Sequence, residues 1–163
     1  MDWTQQLTIV FATGYAMLLG GVIGVERELR NRPAGFRTHM LVAGASSLLL
    51  GIGMLWVDDS RQATQTVRIA SDPLRLIEAV IAGVAFIGAG TIFSHGRADN
   101  ITGITTAASL LMVAVIGIAA GLNYFVLSFA ATILTLAVLT VLRLLDRRLR
   151  DRAGLRREHD PEG

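Results

Sequence analysis

The sequence predicts an all-α membrane protein, a bundle of five transmembrane helices with its N-terminus outside and its C-terminus in the cytoplasm. Three observations lead to this prediction. Of the 163 residues, 52% are apolar, they are gathered into five long runs nearly free of charge, and the arginines lie unevenly between those runs. A helix rises about 1.5 Å per residue and the hydrocarbon core is about 30 Å thick, so roughly 20 apolar residues are enough to cross it.

The five apolar runs form one predicted transmembrane domain over residues 1–142. They cover residues 7–25, 40–57, 73–94, 101–121 and 124–142. Only the third run contains charges, Arg75 and Glu78, and both lie near its beginning. No basic residue precedes the first run, unlike the start of a cleaved signal peptide, so we expect the first span to be retained.

The orientation follows from the arginines, because the cytoplasmic connections of membrane proteins collect basic residues. Four arginines lie in residues 26–39, one between the third and fourth runs, and seven in residues 143–157, which places twelve on one side. The other side has three, Arg61, Arg68 and Arg75. This basic balance fits topology and anionic lipid headgroups, and we expect no nucleic-acid partner.

The first span contains Gly20 and Gly24, the four-residue spacing that lets two membrane helices approach closely. This face favours self-association and predicts a homodimer, although it is equally suited to packing inside one subunit. Glu26 and Arg30 continue the helix in the favourable i,i+4 order. A break at residues 33–35 ends it.

In the remaining elements, Thr38 is the expected N-cap of the second span, and Asp72-Pro73 is a strong start signal for the third. Residues 121–123 alone join spans four and five, which must therefore be antiparallel neighbours. Residues 143–163 form a predicted basic amphipathic tail at the inner surface, disordered over its last ten residues. Besides Gly20 and Gly24, tight helix packing is expected at Gly83, Gly88, Gly90, Gly117 and Gly121.

Polar side chains gather toward the predicted cytoplasmic half of the bundle. Because a polar group facing lipid is costly, we expect them to face the bundle interior or water. Glu26 and Arg27 either extend together to the headgroups, or Glu26 is an interior carboxylate with Arg30, Arg37 or a metal ion as its partner. The hydroxyls of span four either bond carbonyls of their own helix or line a polar surface. The whole predicted cluster consists of Glu26, Arg27, Arg30, Arg37, Thr38, Thr91, Asn100, Thr102, Thr105, Thr106 and Ser109.

Glu26, Asp99 and Asn100 offer the hard oxygen ligands that suit Mg²⁺, whereas capping of span four is the alternative role of Asp99 and Asn100. No other cofactor is predicted. The chain has no cysteine, which excludes disulfides, thiol catalysis and thiolate metal sites. His39 and His95 lack any metal-binding or catalytic pairing, so interfacial hydrogen bonding is expected of them. No nucleophile–base pair stands out, and no catalytic residue is predicted.

Five passages form a recognisable series: residues 20–30 (GGVIGVERELR), 34–42 (AGFRTHMLV), 72–75 (DPLR), 83–92 (GVAFIGAGTI) and 100–108 (NITGITTAA), and together they span most of residues 14 to 121. In this order they resemble the MgtC/SapB family of membrane proteins. Their combined order and spacing is more specific than any single motif. The resemblance implies a five-span domain in the bacterial inner membrane, in agreement with the count of apolar runs.

The resemblance also implies a function. Family members are tied to growth under Mg²⁺ limitation and, in pathogens, to survival inside macrophages, and one of them is thought to restrain the F-type ATP synthase through membrane contact. The first hypothesis is therefore a regulator that contacts other membrane proteins. A small transporter or channel for Mg²⁺ or another cation is the alternative, and a lipid enzyme lacks a catalytic arrangement.

The chain departs from the family pattern at several points. Many members carry a soluble domain after span five, and about twenty residues follow it here, so we do not expect the contacts of that domain. Thr102 stands where we expect Arg, and Leu111 where we expect Trp. Partner recognition is expected to differ accordingly.

Overall fold

The computed structural model describes residues 3–63, 73–93 and 102–157. These residues form five α-helices and no strand: α1 (Trp3–Glu28), α2 (Phe36–Ala63), α3 (Pro73–Phe93), α4 (Ile104–Gly121) and α5 (Phe125–Arg157). The predicted all-α fold with five helices is confirmed. The side on which each terminus lies remains a prediction.

Four of the described helical segments are long and apolar enough to cross a membrane: Trp3–Glu28, Phe36–Val57, Leu74–Ile92 and Ile104–Gly121. The apolar part of α5, Phe125–Val141, has 17 residues. At about 1.5 Å per residue it spans about 26 Å, close to the thickness of the hydrocarbon core. The helix continues without interruption to Arg157, so α5 is consistent with the fifth predicted span.

The core of the bundle is the three-helix contact of α1, α2 and α4, in which α2 is approached from two sides by glycines. Gly20 and Gly24 of α1 lie against the backbone of α2 at His39 and Phe36. Gly117 and Gly121 of α4 lie in the same way against the α2 backbone at Ala43 and Ser47. Both glycine pairs have the four-residue spacing that permits close helix approach. The pair in α1 therefore packs within one subunit and no longer argues for a homodimer, which remains a prediction.

Two helices lie at the periphery of this core. In α3 only 17% of the membrane-spanning segment is buried, against 61% in α4. α3 meets α4 where Gly88 contacts Ala107. α5 follows α4 after a short turn that contains Asn123 with a positive φ of 64°, and the Tyr15 hydroxyl of α1 donates a hydrogen bond to the Phe125 carbonyl at 3.0 Å. Spans four and five are thus neighbours, as their short connection requires.

Tight packing was expected at Gly83 and Gly90, and this expectation is wrong for the described structure. A Cβ added at either glycine would meet nothing within 4 Å. The reason is that Gly83 lines an apolar cavity between α3 and α2 and Gly90 lies at an exposed position of α3, whereas Gly88 lies on the face that contacts α4.

The helix boundaries also differ from the predictions. α2 begins at Phe36, so Thr38 lies inside the helix and is not its N-cap. The first turn is instead capped by a side chain from α1, because the Glu28 carboxylate accepts a hydrogen bond from the Phe36 backbone N–H at 2.8 Å. α5 remains helical to Arg157, which corrects the disorder predicted for the first four of the last ten residues. The other six lie outside the described residues.

Candidate functional site

The candidate site lies at the end of the bundle predicted to face the cytoplasm, where α1 ends and α2 and α4 begin. It consists of Arg27, His39, Thr106 and Ser109, which we call the arginine cluster. Arg27 follows Gly24 on the buried face of α1 and is only 3% exposed. Its Nη2 donates a hydrogen bond to the Thr106 Oγ1 of α4 at 2.8 Å. A buried charge is costly unless it is hydrogen-bonded, so this contact helps to hold the ends of α1 and α4 together.

His39 joins α2 to the same cluster and is fully buried. Its Nδ1 lies 2.8 Å from the Gly35 carbonyl and its Nε2 lies 3.1 Å from the Ser109 Oγ. A carbonyl only accepts, so Nδ1 carries the hydrogen in this arrangement. The Ser109 hydroxyl also lies 2.8 Å from the Thr106 carbonyl. Side chains from three helices are therefore connected by direct hydrogen bonds.

Glu26 has a different environment from its neighbour Arg27. It forms an ion pair with Arg30 one turn later in the same helix, and the two side chains are 12% and 26% exposed. This is the i,i+4 pair expected from the sequence. Glu26 is thus paired with a cation of its own helix, while Arg37 lies in the first turn of α2 and is exposed.

The structure divides the predicted polar cluster instead of bringing it together. Thr106 and Ser109 are buried, whereas Thr102 and Thr105 are exposed, so only the first two face the bundle interior. The reason is that Thr102 precedes the first turn of α4 and Thr105 lies about 100° around the helix from Thr106.

Of three further members of the predicted cluster, two are described. Thr91 donates to the Gly88 carbonyl of its own helix at 2.8 Å, which is the backbone-bonding role of membrane hydroxyls. Thr38 is half-buried. Asn100 lies outside the described residues.

The sequence did not place His39 inside the bundle, since hydrogen bonding at the membrane interface was expected of it, and the structure gives it hydrogen-bond contacts at a buried position. The available signal was helical periodicity. His39 lies on one face of α2 with Val42, Ala43, Ser46 and Leu50, all of which are buried, at the spacing of a buried helix face. A histidine in that position is inside the bundle and needs polar partners, which Gly35 and Ser109 supply.

The predicted magnesium site remains a prediction. Among the described residues no group of three or more histidines, aspartates or glutamates could hold a metal ion. Asp99 lies, like Asn100, outside the described residues, so only Glu26 of the predicted ligands is described, and it is paired with Arg30. A Mg²⁺ titration of the purified protein tests the site, and a protein that binds no Mg²⁺ rules it out.

This fold and this site define a multi-pass α-helical membrane protein whose helices are joined at one end by a buried arginine. The profile of the MgtC family matches residues 14–148. The chain therefore belongs to the MgtC family, which confirms the resemblance noted in its sequence.

Three curated relatives illustrate the relationship. The chain is 40% identical over 129 residues to an uncharacterized protein of Haemophilus influenzae, covering 79% of this chain and 52% of the relative. It is 36% identical over 136 residues to Protein SapB of Bacillus subtilis, covering 83% and 57%. It is 37% identical over 134 residues to the putative magnesium transporter YhiD of Escherichia coli, covering 82% and 60%. The chain thus spans between half and three-fifths of these relatives. No solved structure matches it.

Proposed function

We propose that this protein is a non-enzymatic regulator of bacterial adaptation to Mg²⁺ limitation, which acts in the inner membrane by contact with other membrane proteins. The F-type ATP synthase is the partner that the family resemblance suggests, and survival inside macrophages is the corresponding role in a pathogen. The magnesium link is supported by the name of the Escherichia coli relative. The contact mechanism is supported by the surface of α3.

The observation that carries the proposal is the open face of α3. Gly83 and Gly90 have no described atom within 4 Å of an added Cβ. They are seven residues apart, so they lie on nearly the same side of the helix and are separated by about 10 Å along it. Phe86 lies between them and is 82% exposed. Gly83 and Gly90 have no side chain, so a helix of another membrane protein can approach the α3 backbone closely on either side of the Phe86 ring.

The glycines of the core cannot serve this purpose. Gly20 and Gly24 are occupied by α2, and Gly117 and Gly121 approach the same helix from α4. The charged side chains at the end of the core are also engaged within the chain, Glu26 by Arg30 and Arg27 by Thr106. Among the described residues, α3 presents two open glycines on nearly the same side of the helix, whereas α1 presents one, Gly14.

The experiment combines growth with site-specific crosslinking. A deletion strain is complemented with the wild type, with Gly83→Leu and Gly90→Leu, and with the matched control Gly14→Leu. Gly14 is equally open, since nothing lies within 4 Å of it, but it belongs to α1. We expect the α3 variants to lose rescue at low Mg²⁺ at normal membrane abundance, and the control to rescue.

A photo-crosslinker placed at Phe86 then identifies the partner in Mg²⁺-starved membranes. Capture of a second membrane protein, lost in Gly83→Leu, supports the proposal. Capture of this chain alone supports the predicted homodimer in its place and counts against regulation of another protein. Rescue by all three leucine variants would contradict a role for α3.

Passage of a small cation is the second candidate, favoured by a cavity at the end of the bundle opposite Arg27. It is lined by Gln5, Thr8 and Asn123 among other residues. Flux of Mg²⁺, other cations and protons in proteoliposomes tests this function. An absence of flux for all of them would eliminate it and leave the regulatory proposal in place.

A further inference from the structure

Two hydroxyl groups near the middle of the bundle have no hydrogen-bond partner among the described residues, and they lie in the same layer. They are the Oγ1 of Thr13 in α1 and the Oγ of Ser47 in α2, and both atoms are buried. Ser47 as a whole is fully buried. A buried hydroxyl without a partner is costly, because it has given up its hydrogen bonds to water.

Other hydroxyls in the bundle have a hydrogen-bond partner within their own helix. Ser46, the neighbour of Ser47, donates to the carbonyl four residues before it at 2.8 Å. Thr132 and Thr135 of α5 do the same at 2.8 and 2.7 Å. This local bond is the usual solution for hydroxyls in membrane helices. The Thr13 and Ser47 hydroxyls do not form this bond.

Their common depth follows from the contacts between α1 and α2. The two helices are antiparallel, with Gly51 against Ile9 in one layer and Gly44 against Met17 in another. Thr13 is four residues beyond Ile9, and Ser47 is four residues before Gly51, so both lie one turn below the first layer. Ser47 lies ten residues before Val57, where the apolar run of α2 ends. At about 1.5 Å per residue this is a depth of about 15 Å, half the hydrocarbon thickness.

Directly above this layer is the cavity at the end opposite Arg27, which we call the outer cavity. It has a volume of about 230 Å³, and its lining includes Ile9, Gly51 and Gly121, the last of which lies against the Ser47 backbone. One water needs roughly 10–15 Å³ of such space, so the cavity admits several. Its polar lining of Gln5, Thr8 and Asn123 offers them hydrogen bonds.

We propose that Thr13 and Ser47 form a buried water site that is filled through the outer cavity. Water is the ligand that fits, because a hydroxyl can both donate to it and accept from it, and Gln5, Thr8 and Asn123 offer it further hydrogen bonds along the cavity. Each hydroxyl then gains the partner that the protein does not supply. Hydration reaches the middle of the membrane from one side, and the Met17 and Gly44 layer lies between this water site and the arginine cluster.

The natural absence of cysteine makes the site accessible to thiol labelling. The probe is a small, water-soluble methanethiosulfonate applied to the purified, reconstituted protein carrying Thr13→Cys or Ser47→Cys. Thr8→Cys, in the cavity lining, is the reactive control. Val113→Cys, at a fully buried position of α4, is the unreactive control. A thiol reacts as its thiolate, which forms only where water reaches it.

We expect both test thiols to react at least about tenfold faster than the Val113→Cys thiol, in keeping with reactivity that follows thiolate content. Rates equal to that of the buried control would overturn the proposal. The melting temperatures of Ser47→Ala and Thr13→Ala provide a second readout. Removal of a hydrated hydroxyl lowers the melting temperature, whereas removal of an unpartnered one leaves it unchanged or raises it. An unchanged or raised value in both variants contradicts the water site. Neither readout depends on the proposed regulatory function.

Discussion

Replacement of Gly20 by alanine should loosen the contact between α1 and α2, whereas the same replacement at Gly14 should not. An alanine Cβ at position 20 would lie 2.6 Å from the His39 carbonyl oxygen and 2.8 Å from the Ala43 Cβ. Ordinary contact begins at about 3.4 Å, so α2 would have to retreat by about 0.8 Å. The carbonyl belongs to the helix backbone and cannot rotate away.

The magnitude follows from two opposing terms. Overpacking of this kind costs about 1–3 kcal/mol, and a gap of about 0.5–1 Å forfeits a quarter to a half of the dispersion energy of the contacts around it. Alanine also gains about 0.5–1 kcal/mol over glycine in helix propensity. Gly14 has nothing within 4 Å, so Gly14→Ala receives the propensity gain alone. Because that gain is common to both variants in α1, the difference between them should be about 1–3 kcal/mol.

The assay is reversible unfolding of both variants and the wild type in the same lipid or detergent. Gly14→Ala should equal or exceed the wild type in its free energy of unfolding, and Gly20→Ala should fall below Gly14→Ala by the stated amount. Equal stability of the two alanine variants would refute the close approach of α1 and α2 at this position.

Three further predictions concern single hydrogen bonds, and each is measured by the free energy of unfolding. Thr106→Val removes the acceptor of the buried guanidinium and should cost about 1.5–3 kcal/mol, whereas Thr106→Ser keeps the hydroxyl and should cost less; equal losses would contradict the bond. Glu28→Ala removes the acceptor of the Phe36 N–H and should lower the free energy of unfolding by about 0.5–2 kcal/mol. Glu28→Gln retains an acceptor oxygen, so its free energy of unfolding should lie nearer that of the wild type. Equal values for the two variants would contradict the cap. Tyr15→Phe keeps the edge-to-face contact with Phe125 but loses the bond to its carbonyl, so a loss of about 1 kcal/mol is expected, and no loss would show that this bond is not formed.

Much of the helix arrangement could be predicted because it depends on local properties of the chain. The apolar runs mark the helices, since a segment in lipid must satisfy its own backbone hydrogen bonds. The Glu26–Arg30 pair follows from a spacing of four residues in one helix. The beginning of α2 could not be read in this way. Its cap is Glu28, eight residues earlier in the chain, and it depends on how the turn folds back.

The glycines show the same difference between what the local sequence predicts and what the tertiary structure decides. Gly20, Gly83 and Gly90 look alike in the sequence, yet Gly20 lies against the His39 backbone and the other two lie open on α3. Periodicity places a residue on a helix face, but the rotation of the whole helix against its neighbours decides what that face meets. For α3 this rotation leaves Gly83 and Gly90 without close neighbours among the described residues.

By itself, the sequence determined that this chain is a five-helix membrane protein of the MgtC family, because apolar length and motif order are properties of a linear chain. Only the tertiary structure decided that Arg27 contacts Thr106 from 79 positions away and that His39 is inside the bundle. It also left the Thr13 and Ser47 hydroxyls without a hydrogen-bond partner among the described residues. The physical reason is that hydrogen bonding and burial between helices depend on their register and rotation, which the close approach of the glycine faces to α2 sets.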